Sequence, residues 1–311
     1  MTYTEPYVGK RRQVSFMEEA TFGTAVAATK WIGLDCIVTE KYNPNLIDIH
    51  GAGTDTLYVE TRVMGKKVIG LGFEYIPQDG KFLQFIASTI TSVGTSIIVH
   101  TFNFLNLISS FSCEIADRHT TNIVRQYGGC YVKTLELVFS EGEPVKVRMD
   151  CGAQDYGGDA IVQTTTALTS EPFMFHSVKW TYNSEVEAQV KSGSLKFINK
   201  LTEPFYCAQT IGNKVSEPIL EERFCELSVT LQFSNSTFLD LITTDPVVKA
   251  AAGVHTLEFI KDSTDDKLVF TLTDLWSSNY VISNKYEDTL TQDITFKLKS
   301  IAVDATDTLT W

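Results

Sequence analysis

Val99-His100-Thr101-Phe102-Asn103-Phe104 returns in the second half of the chain as Val254-His255-Thr256-Leu257-Glu258-Phe259. The separation is 254 − 99 = 155 residues in a chain of 311. Other segments repeat at a separation of 156, namely Phe82–Ile86 as Phe238–Ile242 (238 − 82), Leu71–Tyr75 as Leu227–Leu231 (227 − 71), and Asn43 as Asn199 (199 − 43). A nearly constant separation over several segments indicates an internal duplication. We therefore expect one fold to occur twice.

The length of the chain suits two domains of ordinary size, each with its own core. A glycine- and threonine-rich stretch between residues 152 and 167 has no apolar period and is typical of a linker. We expect a first domain at 1–160, with an N-terminal arm and a long loop at 46–64, and a second domain at 161–311.

Alternating apolar and polar residues predict strands in both halves. Leu135, Leu137 and Phe139 share one face, and Ile294, Phe296 and Leu298 do so near the end of the chain. Apolar spacings of three and four predict a short helix from Phe82 and a second one from Phe238. The predicted fold class is all-β with minor α: two tandem β-sandwich domains, each with one short flanking helix, related by the internal repeat.

The net charge of −12 argues against a protein that grips nucleic acid through its phosphates, because such binding needs a basic surface. This net charge is compatible with a nucleic acid that passes near the protein without being bound. No apolar stretch is long enough for a membrane span, so we expect no membrane partner. The six cysteines form no C-x-x-C pair, which argues against zinc and favours buried, reduced thiols.

Candidate chemistry is sparse, and we expect neither an enzyme nor a cofactor or metal site. His100 and His255 occupy equivalent positions, and their neighbours predict an outward or edge place in a strand. A structural or interface role is favoured over metal binding or proton transfer, which need partner residues. The acidic segment Asp262–Asp266 could bind a hard cation but is more typical of a turn.

Residues 46–64 combine apolar alternation with a glycine-rich tip, which predicts a long hairpin excursion. Loops of this length in a compact fold are usually functional or disordered. Glu19–Thr24 and the hairpin Leu135–Val147 resemble segments of the major tail tube proteins of long-tailed, siphovirus-type viruses of bacteria and archaea, and the order of elements fits both halves. The whole chain is similar to the form of that family with two tube domains.

This resemblance implies a structural virion protein that polymerises as stacked rings into the hollow tail tube through which double-stranded DNA is ejected. Its implied partners are further copies of itself in trimeric, pseudo-hexameric rings, a tape measure protein and DNA in the lumen, and tail terminator and distal tail proteins at the ends. The implied location is the virion tail, assembled in the host cytoplasm. Contacts between rings or subunits are expected at eight residues: Phe22, Ile47, Asp48, Ile49, His50, Leu57, Tyr58 and Val59.

An acidic channel wall would repel phosphates and let DNA slide, so we expect luminal carboxylates. Two alternatives remain open at this level. One is a ring-forming tail terminator or baseplate hub protein of the same fold. The other is a two-domain β-sandwich that binds carbohydrate or acts as a hydrolase; glycoside hydrolysis needs a pair of carboxylates, and among the 38 acidic residues no pair stands out.

Overall fold

Alternating sequence patterns become strands throughout the part of the chain that the computed structural model describes. That part comprises residues 12–29, 31–49, 61–105, 107–117, 123–158, 169–187, 189–204, 214–233, 255–261, 266–283 and 290–307. Strands of the first half are β1 Arg12–Glu18, β2 Leu34–Asn43, β3 Leu46–Ile49, β4 Thr61–Met64, β5 Val68–Ile76, β6 Thr89–Gly94, β7 Ile98–Asn103, β8 Phe111–Asp117, β9 Ile123–Ser140, β10 Lys146–Ala153 and β11 Asp155–Gly158. Strands of the second half are β12 Val178–Tyr182, β13 Glu185–Val186, β14 Val190–Thr202, β15 Ile219–Gln232, β16 His255–Ile260, β17 Lys267–Ser283 and β18 Thr291–Asp307. The predicted all-β fold is confirmed.

Eight of these strands are consecutive antiparallel neighbours within a larger sheet of 16 described strands, and we call these eight the long sheet. Its order is β2-β5-β10-β9-β14-β15-β18-β17. The first four strands have the same arrangement as the last four, so β2 corresponds to β14, β5 to β15, β10 to β18 and β9 to β17. The duplication seen in the sequence is therefore a repeated four-stranded unit.

The two units are joined by direct pairing of β9 with β14, which we call the internal seam. Leu137 lies opposite Leu195 there, and Glu136 lies opposite Lys196. Strands from the two predicted domains, 1–160 and 161–311, are thus hydrogen-bonded to each other. The domain boundaries themselves stay a prediction.

The repeat has a one-residue irregularity before β5. Glu40 pairs with Leu71, and Leu195 pairs with Leu227. Because Leu71 corresponds to Leu227, Glu40 corresponds to Leu195, at 195 − 40 = 155. Asn43 therefore corresponds to Ile198, and its expected match to Asn199 is wrong by one residue.

A second layer of strands packs against the long sheet. In the first half β8 pairs with β1 and with the N-terminal part of β9. In the second half β16 lies between β12 and the N-terminal part of β17. The hairpin β6–β7 joins the C-terminal end of β18. Left-handed backbone at Gly129 in β9 (φ +61°) and at Asp274 in β17 (φ +50°) lies where the long strands change partners.

Aromatic side chains fill the space between the layers. Phe16 on β1 meets Phe73 on β5 edge-to-face at 5.0 Å between ring centroids. In the second half, Trp180 on β12 lies 6.2 Å from Phe296 on β18. The residues predicted to face inward on β9 are buried, as are Ile294 and Phe296, while Leu298 is only partly buried. Such burial contributes about 1.5–3 kcal/mol for each large apolar side chain.

Four free thiols join this interior, as predicted: Cys113, Cys130, Cys151 and Cys225 are buried, whereas Cys36 is only partly buried and Cys207 lies outside the described residues. Burial raises the pKa of each of the four buried thiols, which keeps them protonated at neutral pH.

Helical structure is brief in the described residues. The predicted first helix is a 3-10 helix at Lys81–Phe85, and a second 3-10 helix spans Phe175–Ser177. The first ends early because the Ser88 N–H already donates to the Asn103 carbonyl, which starts the β6–β7 pairing. The helix predicted from Phe238 lies outside the described residues. Among the helices that are described, none has the length and hydropathy of a membrane-spanning helix.

Gly193 lies at the internal seam, where the neighbouring atoms leave no room for a side chain. A Cβ there would lie 2.5 Å from the Phe139 ring and 2.7 Å from the Ser228 carbonyl oxygen. Gly193→Ala should lower the free energy of unfolding by roughly 1–3 kcal/mol through overpacking, measured by urea denaturation. The matched control is Gly72→Ala, where a Cβ meets only Thr39 Cβ at an ordinary 3.6 Å. Equal stability of the two variants would contradict this account.

Candidate interaction surfaces

One face of the long sheet packs on the core, and the opposite face is polar. A row of six neighbouring side chains crosses that polar face with alternating charge, and we call it the charge row. Its members, in order across six strands, are Glu74, Arg148, Glu136, Lys196, Glu226 and Lys297. Arg148 Nε lies 2.8 Å from Glu74, and an Arg148 terminal nitrogen lies 4.0 Å from Glu136.

On one side of the charge row, the next two rows carry several small hydroxyl side chains. Ser194, Ser228 and Thr295 form one such row, and the Ser228 and Thr295 hydroxyls are 3.1 Å apart. In the next row the Thr230 hydroxyl donates to Asp293 at 2.6 Å. These residues line a shallow depression across the internal seam. The polar face therefore offers hydroxyl groups to solvent, and in the charge row each cation has a carboxylate on a neighbouring strand.

The hairpin β3–β4 presents apolar side chains to solvent. Ile47 and Val63 lie opposite each other and are 54% and 42% exposed. Three more exposed apolar residues share the hairpin: Leu46, Ile49 and Met64. Asp48 and Arg62 form an exposed ion pair at 2.8 Å. This pairing confirms the base of the predicted excursion at 46–64.

The structure places half of the predicted contact residues. Ile47, Asp48 and Ile49 lie on β3, whereas His50, Leu57, Tyr58 and Val59 lie outside the described residues. Phe22 is half-buried, and its ring packs 6.5 Å from that of Tyr131. The sequence analysis did not predict the charge row. The signal that could have indicated it is the presence of charged residues of alternating sign at outward positions of the predicted strands.

Glu203 fastens the base of the hairpin to the second half. Lys66 donates to the Glu203 carbonyl at 2.9 Å, and Lys133 lies 2.6 Å from its carboxylate. Burial raises the pKa of the Glu203 carboxyl, but hydrogen bonds from Lys133 and Tyr131 outweigh it, so the pKa lies below its usual value. The carboxylate thus stays charged and holds the two halves together there.

An ion-pair network fastens β2, the end strand of the long sheet. Arg125 binds Glu40 on β2 at 2.9 Å and Asp117 at 2.7 Å, and Arg12 binds Asp117 at 2.6 Å. The Tyr127 hydroxyl donates to Glu40 and accepts a hydrogen bond from Tyr42. Burial raises the pKa of Asp117, but hydrogen bonds from Arg12 and Arg125 outweigh burial and lower it overall.

The two repeated histidines are buried, so the outward or edge position predicted for them is wrong. His100 contacts the Ser92 hydroxyl at 2.7 Å and the Asp307 carboxylate at 3.3 Å. Its partners link the β6–β7 hairpin to β18. His255 Nδ1 accepts from the Asn183 N–H at 3.1 Å. Both contacts fit the favoured structural role, because buried polar groups need hydrogen-bond partners.

The described residues contain no cluster of three or more histidine, cysteine, aspartate or glutamate side chains that could hold a metal ion. Most of the acidic turn Asp262–Asp266 lies outside the described residues. Asp266 itself forms an ion pair with Lys261 at 2.8 Å.

Comparison with known proteins gave one family. A protein-family model described as phage tail tube protein matches residues 9–305. The comparison with curated proteins found no match.

The Asp117 ion pairs should make stability depend on pH in the acid range. A depressed carboxyl pKa stabilises the fold above the ordinary Asp value of about 3.9, and this stabilisation is lost as pH falls through the folded-state pKa. Asp117→Asn should therefore cost roughly 1–3 kcal/mol at pH 7. The difference between variant and parent should shrink as pH falls below about 3.9, as measured by urea denaturation across pH. In the control Asp48→Asn, an exposed pair is removed, and the change should stay below about 1 kcal/mol. A cost for Asp117→Asn that is equal at pH 7 and pH 3 would contradict this.

Proposed function

Because the chain belongs to the phage tail tube protein family, we propose that it forms trimeric, pseudo-hexameric rings that stack into a hollow tube for the ejection of double-stranded DNA. The family match makes the chain a structural component of the virion tail and implies self-assembly with other tail components. A structural family also favours a protein without catalytic activity. The ring, the stacking and the passage of DNA are the proposal.

The long sheet is the observation that carries this proposal. It has one apolar, packed face and one polar face, as a wall between protein and a water-filled channel requires. It is also staggered. Glu74 corresponds in the repeat to Thr230 (230 − 74 = 156), but its counterpart along the charge row is Glu226, four residues away (230 − 226 = 4). Closing a sheet into a barrel requires such a stagger between strands.

The charge row suits a wall along which DNA slides. A protein binds DNA by placing lysine and arginine against phosphates and releasing counterions. Arg148 and Lys196 both lie beside Glu136, and Lys297 lies beside Glu226. The row sums to zero, so the expected acidic wall becomes, over this row, a wall whose cations are compensated in place. The rows beside it add hydroxyl groups that can bind water, next to the charges of Lys146 and Asp293.

The hairpin at 46–64 supplies a surface for stacking. Clustered exposed apolar residues mark protein contacts, and those on β3 and β4 project from a well-fastened base. We assign contacts between rings or subunits to Ile47, Asp48 and Ile49 on β3. From the sequence prediction alone, we also assign such contacts to His50, Leu57, Tyr58, Val59 and Phe22. The tape measure protein would occupy the lumen, and terminator and distal tail proteins would cap the ends. Assembly would take place in the host cytoplasm.

Purified protein should form long hollow tubes in negative-stain electron microscopy, and hairpin variants should not. Ile47→Asp together with Val63→Asp places charge on both exposed strands, so we expect isolated rings with unchanged thermal stability. The control Val186→Asp changes an equally exposed apolar residue on β13 and should leave tubes intact. Single rings from the unaltered protein would indicate a terminator or hub instead, and monomers at every concentration would reject the proposal.

Removing the shared carboxylate of the charge row should make the wall adhesive. Glu136→Gln leaves Arg148 and Lys196 with less compensation, so virions carrying it should eject DNA more slowly, most clearly at low salt. Glu185→Gln makes the same charge change on β13, away from the long sheet, and serves as the control. If both variants eject DNA at the same rate, the charge row has no role in DNA passage.

A further inference from the structure

Arg223 places a positive charge on the inward face of the long sheet, near the start of β15. It shares that face with the buried residues Cys225 and Leu227. Its Nε donates to the Asn199 side-chain oxygen at 2.8 Å. Both terminal nitrogens of the guanidinium are buried, and neither has a hydrogen-bond acceptor among the residues that the structure describes. A buried cation whose N–H groups lack acceptors is energetically costly.

The neighbours of this guanidinium hold it in place without neutralising it. The Phe104 ring lies 5.5 Å from the guanidinium carbon of Arg223 and is stacked on Phe197, with 5.5 Å between the ring centroids. Asn199 is fixed by its own hydrogen bond to the Val132 carbonyl at 2.9 Å. Burial lowers the pKa of Arg223 to about 10, so the group stays charged at neutral pH.

The first half of the chain satisfies the equivalent cation with its own carboxylate. Lys67 corresponds to Arg223 (223 − 67 = 156), and it binds Asp155 at 3.0 Å. The strand register explains this pair. Ile69 on β5 lies opposite Ala153 on β10, so two residues further along the pairing Lys67 meets Asp155.

The second half has no carboxylate at the corresponding position. Cys225 on β15 lies opposite Leu298 on β18, so the same step of two residues leads from this pair to Arg223 and Ser300. A serine supplies no negative charge. The two copies of the fold therefore share the cation but not the carboxylate that neutralises it.

The segment beside the Arg223 site is apolar and exposed. It follows Phe104, and the Ser88 hydroxyl lies 2.9 and 2.8 Å from the carbonyl oxygens of Leu105 and Leu107. The two leucine side chains are 57% and 65% exposed. Exposed apolar residues next to an aromatic ring and an arginine are typical of a contact with another protein.

We propose that Arg223 binds a carboxylate supplied by a second copy of this chain. An arginine fork matches a carboxylate through two parallel hydrogen bonds, and the two terminal nitrogens of Arg223 are available for them. With 38 acidic and 26 basic residues, a second copy offers many carboxylates. The inference rests on the proposed self-assembly and names one binding site within it. Assembly then converts a cost in the single chain into an attraction between chains.

Arg223→Met tests this inference through two effects of opposite sign. The variant removes the buried charge, so it should raise the urea midpoint of unfolding, measured below the concentration at which tubes form. It should also raise the protein concentration required for tubes by at least about tenfold, because the partner carboxylate loses its cation. The matched control is Lys67→Met. It breaks an ion pair within the chain and should lower the urea midpoint.

A second variant, Arg223→Gln, keeps a donor for Asn199 but carries no charge. It should weaken tube formation as Arg223→Met does, and it keeps the test valid if methionine packs poorly against Phe104. A lower urea midpoint for both variants, with tube formation unchanged, would show that Arg223 acts only within its own chain. That result would overturn the inference while leaving the proposed tube intact.

Acetate distinguishes a free carboxylate from one on a second copy. The urea midpoint is measured in acetate and in chloride at equal ionic strength, for the unaltered protein and for Arg223→Met. Stabilisation by acetate of the unaltered protein alone, together with unchanged tube formation by the variant, would assign the site to a small anion and overturn the inference. Absence of rings and tubes from the unaltered protein would instead reject the proposed function, and with it the partner named here.

Discussion

Antiparallel pairing between β9 and β14 is the interaction on which the architecture depends. It turns two copies of a four-stranded unit into one sheet, with Leu137 against Leu195 on the core side and Glu136 against Lys196 on the polar side. A sheet formed from repeated units meets a constraint at its ends, because every strand edge has backbone groups that need partners. In the described residues, β2 has a strand on one side only, and β17 has β16 as a second neighbour only along Lys267–Leu272. A chain with this property is suited to association in rows or rings.

The alternation of apolar and polar residues along the strands gives the two faces of the long sheet different roles, one in the core and one at the surface. Inward positions carry large apolar side chains that pack on the second layer, as Phe16 packs on Phe73. Outward positions carry hydroxyls and the charge row, which do not contribute to the core. A surface with compensated cations gains little from binding phosphates, since there is no uncompensated basic patch to release counterions. Stability and surface chemistry can therefore vary independently in this fold.

Ion pairs hold two exposed elements, β2 and the β3–β4 hairpin, against the rest of the protein. β2 is an end strand, yet Glu40 ties it to Arg125, and through Asp117 to Arg12 on β1. Lys66 and Lys133 converge on Glu203 at the base of the β3–β4 hairpin. Pairs of this kind are partly buried and screened less by salt than surface pairs. Both exposed elements are thus held in defined positions before any partner arrives.

Much of the fold followed from local patterns. Alternation at Leu135–Phe139 predicted a strand and its buried face, and the apolar residues flanking the glycine-rich stretch predicted strands where Leu46–Ile49 pairs with Thr61–Met64. Other expectations failed for definite reasons. His100 and His255 were assigned outward or edge positions, but hydrogen bonds to residues distant in sequence, such as Asp307, let them be buried. The helix from Phe82 is short because the Ser88 N–H donates a hydrogen bond to the Asn103 carbonyl, at the start of the β6–β7 pairing.

The sequence by itself determined the duplication, the strand class and the family resemblance, because apolar periodicity and repeated segments are local properties of the chain. It also showed that no strong catalytic or cofactor motif is present. The tertiary structure decided which strands are neighbours, and with this the charge row, whose six members come from six strands and meet only through pairing register. It also decided the internal seam, because the order of strands in a sheet depends on contacts between residues far apart in the chain.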